Sequence, residues 1–385
     1  MSSTALPPVI PALSPAEEAA VTFARNLALD VFGPGAADWE ARQELPRPVM
    51  SQLGAEGLTG MTLPRSLGGA ELSHVASLAV FESLAYGDMA AAFALLCQNS
   101  AARSIWLRGT PTQHERWLPG LLSAKDIGAY VITEPTAGSD PGSMETSATP
   151  SGDGWTIDGV KTLISNVPAA STLVLSAKTD ADAGTRGMSA FIVSSDSAGV
   201  EGVPLRLHGS RALPVGQLTL RGVAVPGDAV LGAEGEGFKI ALDAVNWART
   251  VWAALAAGVA QASLDGAVAY VREREQFGRK IADFQAVRFQ LAELATDIET
   301  ARLHGYRAAA LFDTDDPAQI GAAAMAKLTA GEVAVRVTSK ALELLGGVGY
   351  VVPSPLERYL RQARMAQLAD GTSNIQRLVI ARSLG

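Results

Sequence analysis

The spacing of apolar residues changes twice along this chain, and those two changes constrain its fold more than any single motif does. From residue 14 to about 125 the pattern is helical, and Ser14-Pro15-Ala16-Glu17 reads as an N-cap, an N1 proline and a capping-box glutamate ahead of an apolar stripe. A Pro/Gly-punctuated piece over 63–69 links helices, and 81–100 reads as one apolar, alanine-rich helix. From about 127 to 230 the period falls to two. Trp155, Ile157 and Val160 flank an Asp158-Gly159 turn, followed by Leu173-Val174-Leu175, Phe191-Ile192-Val193 and the run 218–225. These short segments are hairpin-connected, so the sheet should be antiparallel or barrel-like and not doubly wound. From about residue 237 the chain is helical again: Val287, Leu291, Leu294 and Ile298 form one stripe, and helices over 317–345 and 355–384 follow, parted by Gly346-Gly347. The expected fold is mainly α with a central β domain: an N-terminal helical domain (1–126), an antiparallel, barrel-like middle domain (127–236) and a C-terminal four-helix bundle (237–385).

A chain of 385 residues, 48% hydrophobic and 18% charged, can bury the cores of two or three domains. Its net charge of -8 offers no basic surface to neutralise phosphates, so no nucleic-acid partner is expected. The single cysteine, Cys97, excludes an internal disulfide and, within an apolar run, reads as core packing. His74, His114, His208 and His304 lie far apart without ligand spacing, and no metal site is expected. Residues 1–14 are Pro-rich, lack the basic and apolar regions of a secretion signal, and read as a short arm. No uninterrupted apolar stretch reaches the ~20 residues of a membrane span, the segment after Trp252 being broken by Gln261, Ser263 and Asp265. A cytoplasmic protein without membrane association is the expectation.

Four motifs carry chemistry. Thr133-Glu134-Pro135-Thr136-Ala137-Gly138-Ser139-Asp140 is by itself equally a Gly/Pro turn, yet it also offers neutral hydroxyls and a glycine where a flat ring needs close backbone approach. Arg274-Glu275-Gln276-Phe277-Gly278, with Ile281 and Gln285, is either a solvated charged helix end or a guanidinium placed to grip a pyrophosphate. Gly346-Gly347-Val348-Gly349-Tyr350 either caps a helix or lets backbone amides approach a phosphate or ribose. Finally, Ala369-Asp370-Gly371-Thr372-Ser373 places a carboxylate ahead of Gly-Thr-Ser. These motifs, in this order and within this layout, resemble the acyl-CoA dehydrogenase family along nearly the whole chain.

The resemblance implies FAD-dependent oxidation of the α,β bond of an acyl thioester. Tyr130, Ile132, Thr133, Gly138 and Ser139 would line the isoalloxazine and the thioester entry, with Leu163 and Ser165 on the following strand. Leu163 stands where the family usually has tryptophan, a loss of roughly 0.5–1.5 kcal/mol of aromatic contact. Arg274, Phe277 and Gln285 would reach the FAD of a neighbouring subunit. Glu343, in place of a family glutamine, Gly346, Gly347 and Thr372 complete the cofactor set. Ser139, Asn246, Arg249 and Gly371 would contact substrate, Asn246 replacing the usual acidic residue. Met89, Phe93 and Trp247 are candidates for the acyl pocket, with core packing an equal reading.

The aligned base is Asp370, and Ala248 occupies the family's alternative position beside Arg249, so no second carboxylate stands in reserve. Asp is one methylene shorter than Glu, and about 1 Å of misplacement can cost about 100-fold. Asp370 is therefore open to three readings: a base for an unusual thioester, the base of a slow enzyme, or a structural cap of the Gly371-Thr372-Ser373 turn. The implied partners are an acyl-CoA or acyl-carrier-protein substrate, a separate electron acceptor such as an electron-transfer flavoprotein, and further copies of the chain in a dimer or homotetramer. The rival classes are a flavin monooxygenase on the same fold and a non-enzymatic flavoprotein that binds a macromolecule, the latter disfavoured by the acidic charge.

Overall fold

The computed structural model describes residues 12–384; most of the expected N-terminal arm lies outside them. Helix α1 (Pro15–Leu27) begins at the expected capping box, with the Glu17 amide donating to Ser14 Oγ and the Ser14 amide donating back to the Glu17 carboxylate. A π turn leads into α2 (Gly33–Arg42), followed by α3 (Arg47–Ala55), α4 (His74–Gly87), α5 (Met89–Arg108) and α6 (Pro111–Leu122). The apolar run over 81–100 is thus two helices and not one. Asp88 leaves helical geometry at φ -157° and caps α5, one carboxylate oxygen accepting from the Ala91 amide at 2.9 Å and the other from Gln362 Nε2 at 2.7 Å. An aspartate beside a glycine breaks the helix because its side chain replaces the partners that the first-turn amides lack.

The middle of the chain forms one eight-stranded sheet from β1 (Gly128–Val131), β2 (Ser147–Ser151), β3 (Gly154–Ser165), β4 (Thr172–Lys178), β5 (Met188–Ser194), β6 (Val200–Pro204), β7 (Val215–Pro226) and β8 (Val230–Leu231). The order is β6-β7-β3-β2-β4-β5-β8, with β1 alongside β4. Its long ladders are antiparallel; β1 and β4 pair in parallel, and β2 meets β4 in parallel at Ser147 and Lys178. The Asp158-Gly159 turn expected from sequence is not a turn. Strand β3 runs through it, and the hairpin closes at Gly152-Asp153 instead. Gly159 sits at a bulge against β7, where a Cβ would lie 2.3 Å from Thr146 Oγ1, and the Asp158 carboxylate accepts from the Gly222 amide at 2.7 Å. Here glycine serves close approach, not chain reversal.

The C-terminal region is built on α7 (Gly237–Glu273), from which a small hairpin of β9 (Glu275–Gln276) and β10 (Arg279–Lys280) leads to α8 (Gln285–Asp313) and α9 (Gln319–Leu344). Helix α7 is long and apolar enough to cross a bilayer by composition, yet most of its apolar window is buried inside the protein. The helix expected over 355–384 is divided into α10 (Pro355–Met365) and α11 (Ser373–Ser383), both packed on α9. Between them Asp370 (φ 50°) and Gly371 (φ 92°) are left-handed, a conformation no helix can continue through.

The crossing of α7 over α4 rests on Gly258, where a Cβ would stand 2.4 Å from the Glu82 carbonyl oxygen and 2.9 Å from Ala85 Cβ. Gly258→Val should therefore separate the two helices and lower stability by roughly 1–3 kcal/mol, seen as a lower urea midpoint with an unchanged slope.

Candidate active site

The Thr133–Asp140 loop leaves β1 without regular structure, and a buried ion pair holds it. Lys161, pointing inward from β3, donates to Glu134 Oε1 at 2.8 Å and to the Ile132 carbonyl at 3.0 Å, with both side chains almost fully buried. The Glu134 carboxylate also accepts from the amides of Glu145 and Thr146 at 2.6 and 3.1 Å. Burial works to raise the Glu134 pKa, but Lys161 and these donors together outweigh it and hold the carboxyl below its ordinary value. A register shift between Lys161 and Ile164 lets Lys161 face inward and leaves Leu163, at φ 56°, 60% exposed.

The second part of the site is the break between α10 and α11. Its carbonyls are answered from three helices: Arg249 Nε on α7 donates to the Asp370 carbonyl at 3.2 Å, while Lys327 Nζ on α9 and Gln376 Nε2 on α11 donate to the Gly371 carbonyl at 2.6 and 2.8 Å. Arg249 Nη1 also donates to Asn246 Oδ1 at 2.9 Å. The Asp370 carboxylate accepts from the indole Nε1 of Trp252 at 2.7 Å. Burial raises the Asp370 carboxyl above 3.8, against the Trp252 hydrogen bond and the charges of Lys327 and Arg249. Burial likewise lowers Lys327 to about 8, with Asp370 opposing the shift.

The two parts meet at a cavity of about 100 Å³ between α5, α7 and the sheet, lined by Phe93, Leu96, Cys97, Ser100, Tyr130, Ile132, Thr133, Leu163, Ile164, Ser165, Ala244, Val245, Ala248 and Asp370. Of the residues singled out in the sequence, Tyr130, Ile132, Thr133, Leu163, Ser165, Phe93 and Asp370 are brought together on its wall. Gly138 and Ser139 are exposed on the loop, and Thr372 caps α11, its hydroxyl accepting from the Ile375 amide. Asn246 and Arg249 lie behind Asp370. Met89 and Trp247 are fully buried and absent from the lining, Trp247 packing edge-on against His74. Arg274, Phe277, Gln285, Glu343, Gly346 and Gly347 are exposed and take no part in this cavity. Cys97 is buried but on the wall, where burial and then the Asp370 charge push its thiol up.

Sequence reasoning missed Trp252, although its spacing of three from Arg249 on α7 places it on a shared helix face. It also missed Lys161, whose partner lies 27 residues away. The donor set suits a flat heterocycle with a polar edge: Thr133 and Ser165 bring hydroxyls, Ile132, Leu163 and Ile164 bring apolar faces, and a Cβ on Gly138 would meet nothing within 4 Å. A flavin ring fits these residues.

Three domain models of one family match the chain: the acyl-CoA dehydrogenase N-terminal domain over residues 14–125, the middle domain over 129–223 and the C-terminal domain over 235–385. The probable acyl-CoA dehydrogenase FadE25 of Mycobacterium tuberculosis is 36% identical over 361 residues, covering 94% of this chain and 93% of that protein. Butyryl-CoA dehydrogenase from Megasphaera elsdenii superposes with a TM-score of 0.94 at 32% identity, covering 97% of this chain and 99% of that one. The structure of PigA with FAD and proline gives a TM-score of 0.93 at 28% identity, covering 97% and 98%.

Removing one member of a buried ion pair strands the other, which costs about 3–5 kcal/mol. Lys161→Met should lower the unfolding free energy by that amount in urea titrations. Because the folded pKa of Glu134 lies below its ordinary 4.5, the Glu134 contribution is complete above that value and lost as pH falls through the lowered one. The gap between parent and variant should therefore be full at neutral pH and narrow in strong acid.

Proposed function

The chain belongs to the acyl-CoA dehydrogenase family, flavin-dependent oxidoreductases acting on CH–CH bonds, and on that premise we propose that it binds FAD and oxidises the α,β bond of an acyl thioester with Asp370 as base. The observation that carries this reading is the Asp370 carboxylate on the wall of the same cavity to which Thr133 and Ser165 bring their hydroxyls. When bound, FAD supplies the acceptor for the β-hydride. Asp370 takes the α-proton, and to do so it must be ionised before substrate enters. Burial opposes that charge, while the Trp252 N–H, Lys327 and Arg249 favour it. The outcome is a carboxylate more basic than a free one, as general-base catalysis at neutral pH requires. Arg249 and Lys327 hold the backbone on which the carboxylate stands.

Arg274, Phe277 and Gln285, which stand in solvent on and beside the β9–β10 hairpin, act on the FAD of a neighbouring subunit in a homo-oligomer. The 94% exposure of Phe277 supports this reading, as does exposed apolar surface at Val348, Tyr350, Val351 and Val352. Electrons then pass to a separate acceptor protein. Light scattering on the FAD-loaded protein should report a dimer or tetramer; a monomer retaining FAD tightly would overturn the assignment.

Asp370→Asn should lower the rate of anaerobic flavin reduction by an acyl thioester by about 10²-fold or more while FAD remains bound. In the parent, the rate should fall on the acid side with a midpoint above 3.8, the ordinary aspartate value. Asp370→Glu should also slow reduction, since the added methylene would carry the carboxylate away from the position at which the Trp252 indole holds it, 2.7 Å from Nε1. Reduction kinetics unchanged in both variants would mean that the base lies elsewhere.

A further inference from the structure

Trp252 is an unusual residue to find behind an aspartate. It is 1% exposed, its indole N–H is committed to Asp370 Oδ2, and its ring lies 4.7 Å from that of Phe93 at an interplanar angle of 38°. Phe93 belongs to α5 and forms part of the cavity wall; Trp252 belongs to α7, one turn beyond Ala248, which lines the cavity opposite. Two aromatic rings from α5 and α7 therefore meet beside Asp370, Phe93 on the cavity wall and Trp252 behind it.

We propose that Trp252 is a positioning and specificity-determining residue: its N–H fixes the Asp370 carboxylate, and its ring, stacked on Phe93, ends the acyl cavity, so that the substrate is a short-chain acyl thioester. This rests on the reading of Asp370 as the base. Four observations support it. The cavity is only about 100 Å³, and its Tyr130, Thr133 and Ser165 side serves the cofactor, leaving the acyl group the part bounded by Phe93, Leu96, Cys97, Ala248 and Asp370. A longer chain would have to displace Phe93 or Trp252, which are 4% and 1% exposed and already close-packed. An aspartate has one torsion fewer than a glutamate, so one strong donor is enough to fix its direction. Finally, the Asp370 backbone is pinned independently through its carbonyl, so the indole acts on the carboxylate alone.

The charged and titratable groups facing Asp370 are Arg249 on α7, Lys327 on α9 and the Cys97 thiol on α5. Removing the Trp252 donor leaves all three in place, so a shift of the Asp370 titration in such a variant reports the indole.

The test uses the FAD-loaded protein and three variants, Trp252→Phe, Phe93→Ala and Asp370→Asn, each accepted as folded if it retains flavin absorbance. Anaerobic reduction is followed against pH with butyryl-CoA and octanoyl-CoA. Affinity is measured calorimetrically with the corresponding 3-thia analogues, which carry sulfur in place of the β-carbon and give up no hydride. The parent should prefer the butyryl compounds. Trp252→Phe should move the acid limb to higher pH and slow reduction about tenfold at pH values below it, because the anion has lost a donor. Phe93→Ala should raise octanoyl-analogue affinity relative to butyryl at least tenfold without moving the limb. Should Trp252→Phe fail to hold flavin, Trp252→Leu carries the same expectation for the limb.

An unmoved limb in the Trp252 variant, beside an inactive Asp370→Asn, overturns the anchoring role alone. A parent that prefers octanoyl, or a Phe93 variant with unchanged selectivity, overturns the cavity floor. Parent-like activity in Asp370→Asn sinks the base assignment and the anchoring role with it, while the analogue affinities still judge the floor.

Discussion

Backbone that is neither helix nor strand, when placed in a protein interior, must find donors for its carbonyl groups. In the half-buried join at residues 366–372 the carbonyls of Asp370 and Gly371 impose that requirement, and buried donors on the surrounding helices answer it. Arg249 lies in the buried stretch of α7 because the Asp370 carbonyl needs its guanidinium. Lys327 is 1% exposed on α9 because the Gly371 carbonyl accepts from it, and Gln376 is buried on α11 for the same reason. The cations then do a second service, since their charges work against the burial that raises the Asp370 carboxyl. The break between α10 and α11 is thus the feature around which three helices are fitted.

The helix, sheet, helix order was legible from the apolar period alone, because each change of period spans tens of residues. Local breaks were not. The Gly87-Asp88 junction was hidden in an alanine-rich run, where one aspartate weighs little against nineteen neighbours in any average, yet one of its carboxylate oxygens caps the start of α5 while the other accepts from Gln362 on α10. Asp158-Gly159 carries the residue types of a hairpin turn, and only the approach of Thr146 shows why the glycine is there. Asp370 was legible because its neighbours form a motif. Trp252 was not, since an indole in an apolar helix reads as core until the acceptor of its N–H is seen.

The motif residues fall into two groups that the structure keeps apart. Tyr130, Ile132, Thr133, Leu163 and Ser165 share one cavity, whereas Arg274, Phe277, Gln285, Gly346 and Gly347 stand in solvent away from it. Spacing along the sequence carries no information about which copy of a chain a residue serves. The Lys161–Glu134 pair has the opposite character: it lies wholly within one chain and makes the loop and β3 a single body. If the exposed residues serve a neighbouring copy as proposed, folding completes one half of the site and leaves the other at the surface.

Helix α7 brings Ala248 to the cavity, Arg249 to a carbonyl, Trp252 to a carboxylate and Gly258 to the backbone of α4, all within three turns. In evolutionary terms such a helix is nearly frozen, because a change at one of these positions disturbs packing, charge and cavity shape together, and compensating for it takes coordinated substitutions. Helix α5 is less encumbered at Phe93, whose ring touches the cavity on one side and Trp252 on the other. If the cavity holds the acyl group as proposed, enlarging it for bulkier substrates would go most readily through α5, with α7 left unchanged.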